Sequence, residues 1–424
     1  MEKFKGILKK EIERIDSLKI SKRHEKVIKS FTQGSSPRAI IDGKEYVLFN
    51  SNDYLGFRFH KSLKSAEAEK AAIYGVGSGG VRFISGTLAV HKDLERAIAK
   101  FHGREDALIL SSAFSANLGI IHALIKGQSI DSLVSGNVLV ISDELNHRSI
   151  IDGIRVANLA KEQRKIFKHL DHEDLGKLLE DNKGRFSRAL IITDGIFSML
   201  GEAQNISKIN EKIREYRPFY PEGIILVMDD AHGVGCFGET GRGCEEVSGE
   251  NVDLLIGTFG KAFGVEGGYA VGEKILIDYL RESVATYIYS NPPSPGSSAA
   301  AIESIKILNS PEGRNLLEAL RENIKLFKAK MNQAGFKFAA DSNHPIQPIL
   351  IGSAEKAKLL VEKMYDGGIA VTSINYPVVP KGFDEIRVQI CALHSKEDIL
   401  NFVSKCTLYA AELSILNHPE AAYG

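Results

Sequence analysis

Between residues 106 and 271 the chain alternates short apolar runs with amphipathic stretches, and this alternation narrows the fold more than any other feature. The runs lie at 106–110, 138–142, 189–193, 223–228, 252–257 and 267–271. They are too short for buried helices and rich in Val, Ile and Leu, so they predict buried strands. The stretches 115–125, 148–160, 172–182 and 204–216 carry helical spacing between them. Strands alternating with helices predict a mostly parallel sheet covered on both faces. Ligands of such sheets bind outside the carboxyl ends of the strands. The polar residues just after each run are therefore the first candidates for chemistry.

The flanks add smaller units. Residues 2–30 place Ile7, Leu8, Ile12, Ile15 and Leu18 at helical spacing among many charges, which predicts an amphipathic helix packed on another surface. Ala39-Ile40-Ile41 and Tyr46-Val47-Leu48-Phe49, separated by Asp42-Gly43, predict a hairpin. Helices near 61–74 and 88–102 flank Gly75-Val76-Gly77-Ser78-Gly79-Gly80. That run matches the dinucleotide pattern, which needs a strand before it and a helix directly after it. Here a helix precedes it and Val81–Thr87 intervene, so a loop touching substrate or a partner subunit is the better reading. A nicotinamide-dependent oxidoreductase stays as the rival from another class, and a non-catalytic binding protein as a further one. Pro292-Pro293-Ser294-Pro295-Gly296 is the sharpest break in composition. Beyond it a long helical segment to about 334, a strand near 346–351, a helix near 354–367, a strand near 385–390 and a helix from about 396 predict a smaller α+β domain. The expected organisation is an N-terminal helix and arm (1–45), a large domain (46–291) and a small C-terminal domain (292–424).

Composition excludes several classes. Lys+Arg and Asp+Glu both number 54, which removes a global electrostatic case for nucleic acid or an anionic membrane. Cys236, Cys244, Cys391 and Cys406 form no CxxC pair, so reduced thiols are expected rather than a zinc site or disulfides. No apolar run approaches the roughly 20 residues of a membrane span, and Met1–Lys5 lacks the apolar core of a secretion signal. A cytoplasmic protein with no integral membrane segment is expected.

The strand ends then supply the chemistry. Lys261 sits in Thr258-Phe259-Gly260-Lys261-Ala262-Phe263-Gly264, between two predicted strands. Desolvation in such a setting lowers a lysine's pKa and frees its amine to form a Schiff base. The Thr258 hydroxyl is suited to a phosphate. Ser111–Asn117 opens a helix, where free N–H groups make an anion site, with plain capping as the alternative. His147 follows another strand and can stack on a flat cofactor. Ser198 follows the 189–193 run and can meet a ligand's polar edge. Asp229-Asp230-Ala231-His232-Gly233 closes the next strand, and neighbouring carboxylates there are costly unless paired. Asp229 suits a protonated pyridine nitrogen; a metal site is the rival, without a further ligand close in sequence. Arg387 lies on a C-terminal strand and can grip a carboxylate with two parallel hydrogen bonds. A Schiff-base lysine, an aspartate on the preceding strand end, a helix-end phosphate site and a stacking histidine together describe pyridoxal 5′-phosphate (PLP).

Taken together, Ser51-Asn52-Asp53-Tyr54-Leu55-Gly56, Arg82–Thr87 with His91 and Glu95, Asn146-His147, Thr193–Met199, Asp229–Gly233 and Gly257–Lys261 resemble the motifs of the α-oxoamine synthases, a subfamily of fold-type I PLP enzymes. The similarity runs from about Tyr46 to the last helix. Within the subfamily, His147–Arg155, Gly260-Lys261-Ala262 and Tyr376–Gly382 before Arg387 look most like the glycine C-acetyltransferases, or 2-amino-3-ketobutyrate CoA ligases. The resemblance implies an α/β, aspartate aminotransferase-like fold, with a mostly parallel seven-stranded sheet in a large PLP-binding domain. It implies that Lys261 forms the aldimine with the cofactor and moves the α-proton. Asp229 would pair with the pyridinium nitrogen, His232 with the phenolic oxygen, and His147 would stack on the ring. The N–H groups of Ala113 and Phe114, with Thr258, would hold the phosphate. Asn52, Ser198 and Arg387 would hold the amino acid. A homodimer with its site at the interface is implied, with Ser290 and the 75–80 loop serving the neighbouring site. The implied reaction joins an amino acid, glycine favoured, to an acyl-CoA, acetyl-CoA favoured, or runs in reverse. The alternatives are the decarboxylating condensations of alanine with pimeloyl-CoA, as in 8-amino-7-oxononanoate synthase, and of serine with a long acyl-CoA, as in serine palmitoyltransferase. Glu266 near the lysine, the longer segments 126–137 and 217–222, and Asn291-Pro292-Pro293 depart from the family's pattern and bear on the acyl group.

Overall fold

The computed structural model describes residues 1–17, 21–23, 25–32, 37–376 and 378–416. In chain order the strands are β1 (Ile28–Phe31), β2 (Arg38–Ile41), β3 (Lys44–Leu48), β4 (Asp106–Leu110), β5 (Val138–Asp143), β6 (Arg164–Phe167), β7 (Arg188–Asp194), β8 (Gly223–Asp229), β9 (Leu254–Thr258), β10 (Gly268–Gly272), β11 (Ile346–Leu350), β12 (Ile369–Ala370), β13 (Thr372–Ile374) and β14 (Glu385–Gln389). The main sheet is seven-stranded, in the order β4-β10-β9-β8-β7-β5-β6. β10 runs antiparallel to both its neighbours, while β9, β8, β7, β5 and β6 are mutually parallel. Every residue of β5, β7, β9 and β10 is buried, because helices cover both faces, and that is why these strands read as apolar runs. β6 was not expected. It is a short edge strand, Arg164-Lys165-Ile166-Phe167, with its charges in solvent and only Phe167 buried, so it leaves no apolar run to find.

Two smaller sheets complete the frame, in the orders β1-β2-β3-β12 and β11-β14-β13. The predicted hairpin is β2–β3. β3 also pairs in parallel with β12, Val47 opposite Ile369, so the N-terminal strands share a sheet with the C-terminal region across the expected boundary at residue 45. The N-terminal helix spans Glu2–Ser17 and buries no residue; Ile7, Leu8 and Ile12 face solvent in the single chain. It does not continue to residue 30, because Ile28–Phe31 pair with β2 instead; Leu18 lies outside the described residues, as does Pro377. The long segment after residue 294 is two helices, Pro295–Leu308 and Pro311–Gln333. Ser310 caps the second and Pro311 occupies its first turn, where a missing N–H costs nothing.

The glycine run 75–80 follows the helix Lys61–Tyr74 and leads into a π-helical turn, Arg82–Gly86, so the strand–turn–helix of a dinucleotide site is absent there. One apolar core continues from Phe259 and Phe263 beneath the main sheet to Ile386 and Phe402. It joins β14, and with it Arg387, to the strand ends. Among the described residues no helix is long and apolar enough to cross a membrane.

Candidate active site

At the carboxyl ends of β5, β7, β8 and β9 the expected side chains converge on one cavity of about 220 Å³. Ala113, Phe114, His147, Ser198, Asp229, His232, Thr258 and Lys261 all line it. Lys261 follows β9. Burial lowers its pKa to about 8, against the pull of Asp229 and Asp194, while the Arg387 charge lowers it further. Its amine is thus partly neutral near physiological pH, as a nucleophile requires.

Thr258 ends β9 at the same cavity. Its hydroxyl gives its proton to Gly267 O (3.0 Å) and accepts from Gly260 N (3.0 Å), so it braces the loop that carries Lys261. The helix Ala113–Lys126 begins at the cap Ser112, whose oxygen accepts from Ser115 N (3.1 Å). Among the described residues the Ala113 and Phe114 N–H groups have no partner, and they open on the cavity. Gly268 permits this arrangement, since a Cβ there would lie 2.2 Å from the Ser112 carbonyl carbon and 2.3 Å from Ala113 N.

Asp229 ends β8 with both oxygens engaged. Oδ1 accepts from Ala231 N (2.9 Å) and Oδ2 from Asn117 Nδ2 (2.5 Å). Asn117 also donates to Ser149 Oγ (2.9 Å), which lies 2.7 Å from His147 Nδ1. One chain of contacts therefore links the carboxylate to the histidine expected to stack. The sequence marks Asn117 only as part of a helix start; a buried amide on an otherwise apolar helix is the signal of its role. Asp194 is a second residue to which the sequence pattern alone assigns no role. It ends β7, lines the cavity and accepts from His147 N (3.2 Å). Burial, reinforced by the Asp229 charge, pushes its pKa well above the carboxylate range.

Burial lowers the pKa of both His147 and His232, the latter strongly, with the Lys261 charge adding to the effect in each. Arg387 does not line the cavity but reaches its wall through Ser198, whose carbonyl accepts from Arg387 Nε (2.6 Å). Asn52 stands behind it, its Oδ1 accepting from Gln389 Nε2 (3.0 Å) on the same strand. Ser290 is partly buried and lies outside this cavity in the single chain. Glu266 faces a second cavity, of about 400 Å³, which Lys261, Asp53 and Arg58 also line. There burial raises Asp53 to about 6 despite an Arg58 ion pair at 3.2 Å.

A histidine outside the cavity holds the Ser198 loop. His169 bridges Asp143 and Glu202, 3.0 Å on each side, tying the end of β5 to the turn after β7. Burial opposes its charge, but the two carboxylates outweigh that and raise its pKa to about 9. A raised folded-state pKa stabilises fully below the unfolded value near 6.5 and is lost as pH climbs through about 9. Discounted for solvent screening, the effect is on the order of 1–2 kcal/mol. The melting temperature should therefore fall between pH 6.5 and 9, and His169→Gln should flatten that slope. Equal slopes in the two proteins would refute the assignment.

Comparison with known proteins places this geometry in a family. Residues 44–405 match the model for class I and II aminotransferases. The 8-amino-7-oxononanoate synthase of Thermosipho melanesiensis is 41% identical over 85% of this chain and 87% of its own length. That of Petrotoga mobilis is 40% identical over 86% and 88%. Among solved structures, a serine palmitoyltransferase with its PLP internal aldimine superposes with a TM-score of 0.86 at 27% identity, covering 98% of this chain and 99% of that one. An 8-amino-7-oxononanoate synthase from Francisella tularensis, at 24% identity, shares the fold with a TM-score of 0.70 over 87% of this chain and 98% of that one. The strand-end lysine and aspartate thus sit in a frame shared along nearly the whole chain, which belongs to the class I and II aminotransferase family, on its α-oxoamine synthase branch, with the fold of the fold-type I PLP-dependent transferases.

Proposed function

We propose that the chain condenses an amino acid with an acyl-CoA thioester and releases CO2, with alanine and pimeloyl-CoA as the preferred pair. The observation that carries this reading is the 41% identity to an 8-amino-7-oxononanoate synthase over most of both chains. The expectation of glycine and acetyl-CoA rested on short motifs around shared machinery, and it gives way to the decarboxylating alternative. A second reading, serine with a long acyl-CoA, is favoured by the fuller superposition on serine palmitoyltransferase.

The residues present fit PLP. The unpartnered N–H groups of Ala113 and Phe114 suit its phosphate, and the oriented Asp229 carboxylate suits its ring nitrogen. When bound, the cofactor supplies a ring that takes up the electrons released at the amino acid's α-carbon. Asp229 would hold the proton on the ring nitrogen. His147 would cover one face of the ring. Lys261 Nζ would anchor the cofactor, then take the α-proton and later return it. Thr258 keeps the lysine loop in register. Arg387, steadied by Ser198, orients the substrate carboxylate, with Asn52 beside it. The second cavity at Lys261, lined by Glu266, lies open to the acyl partner. The working unit is a homodimer, with Ser290 and the 75–80 loop at the neighbouring site. Val76, Phe83 and Ile84, 89%, 66% and 72% exposed in the single chain, support that assembly.

The test is a matrix of alanine, glycine and serine against pimeloyl-, acetyl- and palmitoyl-CoA, following free thiol and CO2 together. Alanine with pimeloyl-CoA should give both in equal amounts. Thiol only from serine with palmitoyl-CoA would establish the second reading. Thiol without CO2 from glycine and acetyl-CoA would restore the acetyltransferase.

A further inference from the structure

Tyr54 is fully buried, and its hydroxyl stands between two residues that the proposed reaction uses. It lies 2.8 Å from His232 Nδ1 and 3.2 Å from Asn52 Oδ1. Its ring meets His344 edge-on, centroids 5.2 Å apart. His344 accepts from Ile346 N at Nδ1 (3.1 Å), so its Nε2 carries the proton and donates to the His232 carbonyl (2.8 Å). The backbone of His232 is held by His344, and its ring by Tyr54. What remains to be fixed is which ring nitrogen carries the proton.

A phenol has one proton to give, and burial keeps the Tyr54 phenol protonated. Of the two acceptors it meets, His232 Nδ1 is the nearer (2.8 Å against 3.2 Å) and the more basic, while Asn52 Oδ1 also receives Gln389 Nε2 (3.0 Å). The Arg387 guanidinium, which bears on the phenol oxygen, can only donate. The phenol proton is therefore directed to His232 Nδ1. A neutral imidazole that accepts at Nδ1 must carry its own proton on Nε2.

We propose that Tyr54 is a positioning residue that fixes His232 as a neutral Nε2–H donor facing the cavity. This rests on the reading of the site given above. The ligand group it would serve is an anionic oxygen, the class to which the cofactor's ring oxygen belongs. No proton changes place; Tyr54 removes the alternative tautomer.

The experiment uses the PLP-loaded protein and reads the visible spectrum of the bound cofactor against pH, beside steady-state kinetics. The charged and titratable groups that bear on His232 are Lys261, Arg387, His344 and His147, and all are retained in Tyr54→Phe. Tyr54→Phe should shift the spectral titration by about one pH unit and lower kcat by about 10- to 100-fold, with the amino-acid KM changed less than about 3-fold. On a His232→Gln background, the same change should alter kcat by less than about 2-fold, since the residue it acts through is gone. Placing 3-fluorotyrosine at position 54, the same shape with a stronger donor, should shift the titration in the opposite sense; it also serves if the phenylalanine variant does not fold. An unmoved titration in both variants, or an equal Tyr54→Phe effect with and without His232, would overturn the inference. A wild-type protein that takes up no PLP would instead overturn the reading beneath it.

Discussion

Replacing Lys261 by alanine should lower turnover by about ten-thousand-fold or more, while the protein stays yellow and borohydride no longer fixes the cofactor to the chain. The two halves of this result have different causes. Lys261 lines both the cofactor cavity and the second cavity beside it, and burial keeps its pKa at about 8. Removing it takes away the anchor and the base together, and among the described residues no second amine lines the 220 Å³ cavity. The remaining holds on the cofactor do not pass through Lys261. They are the Ala113 and Phe114 N–H groups and the Asp229 carboxylate, set by Asn117 and Ala231. Non-covalent binding therefore survives. In the wild-type apoprotein the rate of covalent PLP attachment should rise with pH through about 8, as more of the amine becomes neutral. Residual turnover above about one part in a hundred in Lys261→Ala would show that another group moves the α-proton.

The strand ends were legible because strands buried on both faces leave uninterrupted apolar runs. The polar residues just after each run then mark where the sheet opens. That logic places His147, Asp229, Thr258 and Lys261 at one cavity without a structure, and the cavity does gather them. It fails where a strand is short and half in water, as with β6, and where a charged amphipathic stretch gives way to an edge strand, as at β1. It also fails for contacts between elements far apart in the chain. Nothing near Tyr54 announces His232, and nothing near Asn117 announces Asp229, because those pairings exist only once β3, β8 and the helix Ala113–Lys126 are stacked. Substrate choice is hard to read from short motifs for a related reason. Gly260-Lys261-Ala262 and His147–Arg155 lie at or next to the cavity that His147, Ser149 and Lys261 line, so they report the shared chemistry and say little about the acyl group. Identity summed over the whole chain weighs the walls as well as the machinery.

Arg387→Ala should raise the amino-acid KM by roughly 100-fold or more, and Arg387→Lys should recover little of that loss. Removing one partner of a buried charged contact costs about 2–5 kcal/mol, and a lysine ammonium cannot copy the two parallel bonds of a guanidinium. β14 presents Glu385, Arg387 and Gln389 on one face, since alternate residues of a strand point the same way. Gln389 is spent on Asn52, and Arg387 Nε on the Ser198 carbonyl. Glu385 is buried with neither carboxylate oxygen hydrogen-bonded among the described residues. Burial raises its pKa to about 8, with the Arg387 charge pulling the other way. Below that pH the side chain is a neutral acid and leaves the guanidinium to the substrate. As pH rises through about 8 it ionises and competes with the substrate carboxylate for the same charge. The wild-type amino-acid KM should therefore climb on the alkaline side, and Glu385→Gln should hold it level without the large loss seen in Arg387→Ala. A KM that climbs equally in Glu385→Gln would assign the titration to another group, and an Arg387→Ala enzyme with near-normal KM would remove the carboxylate clamp from the site.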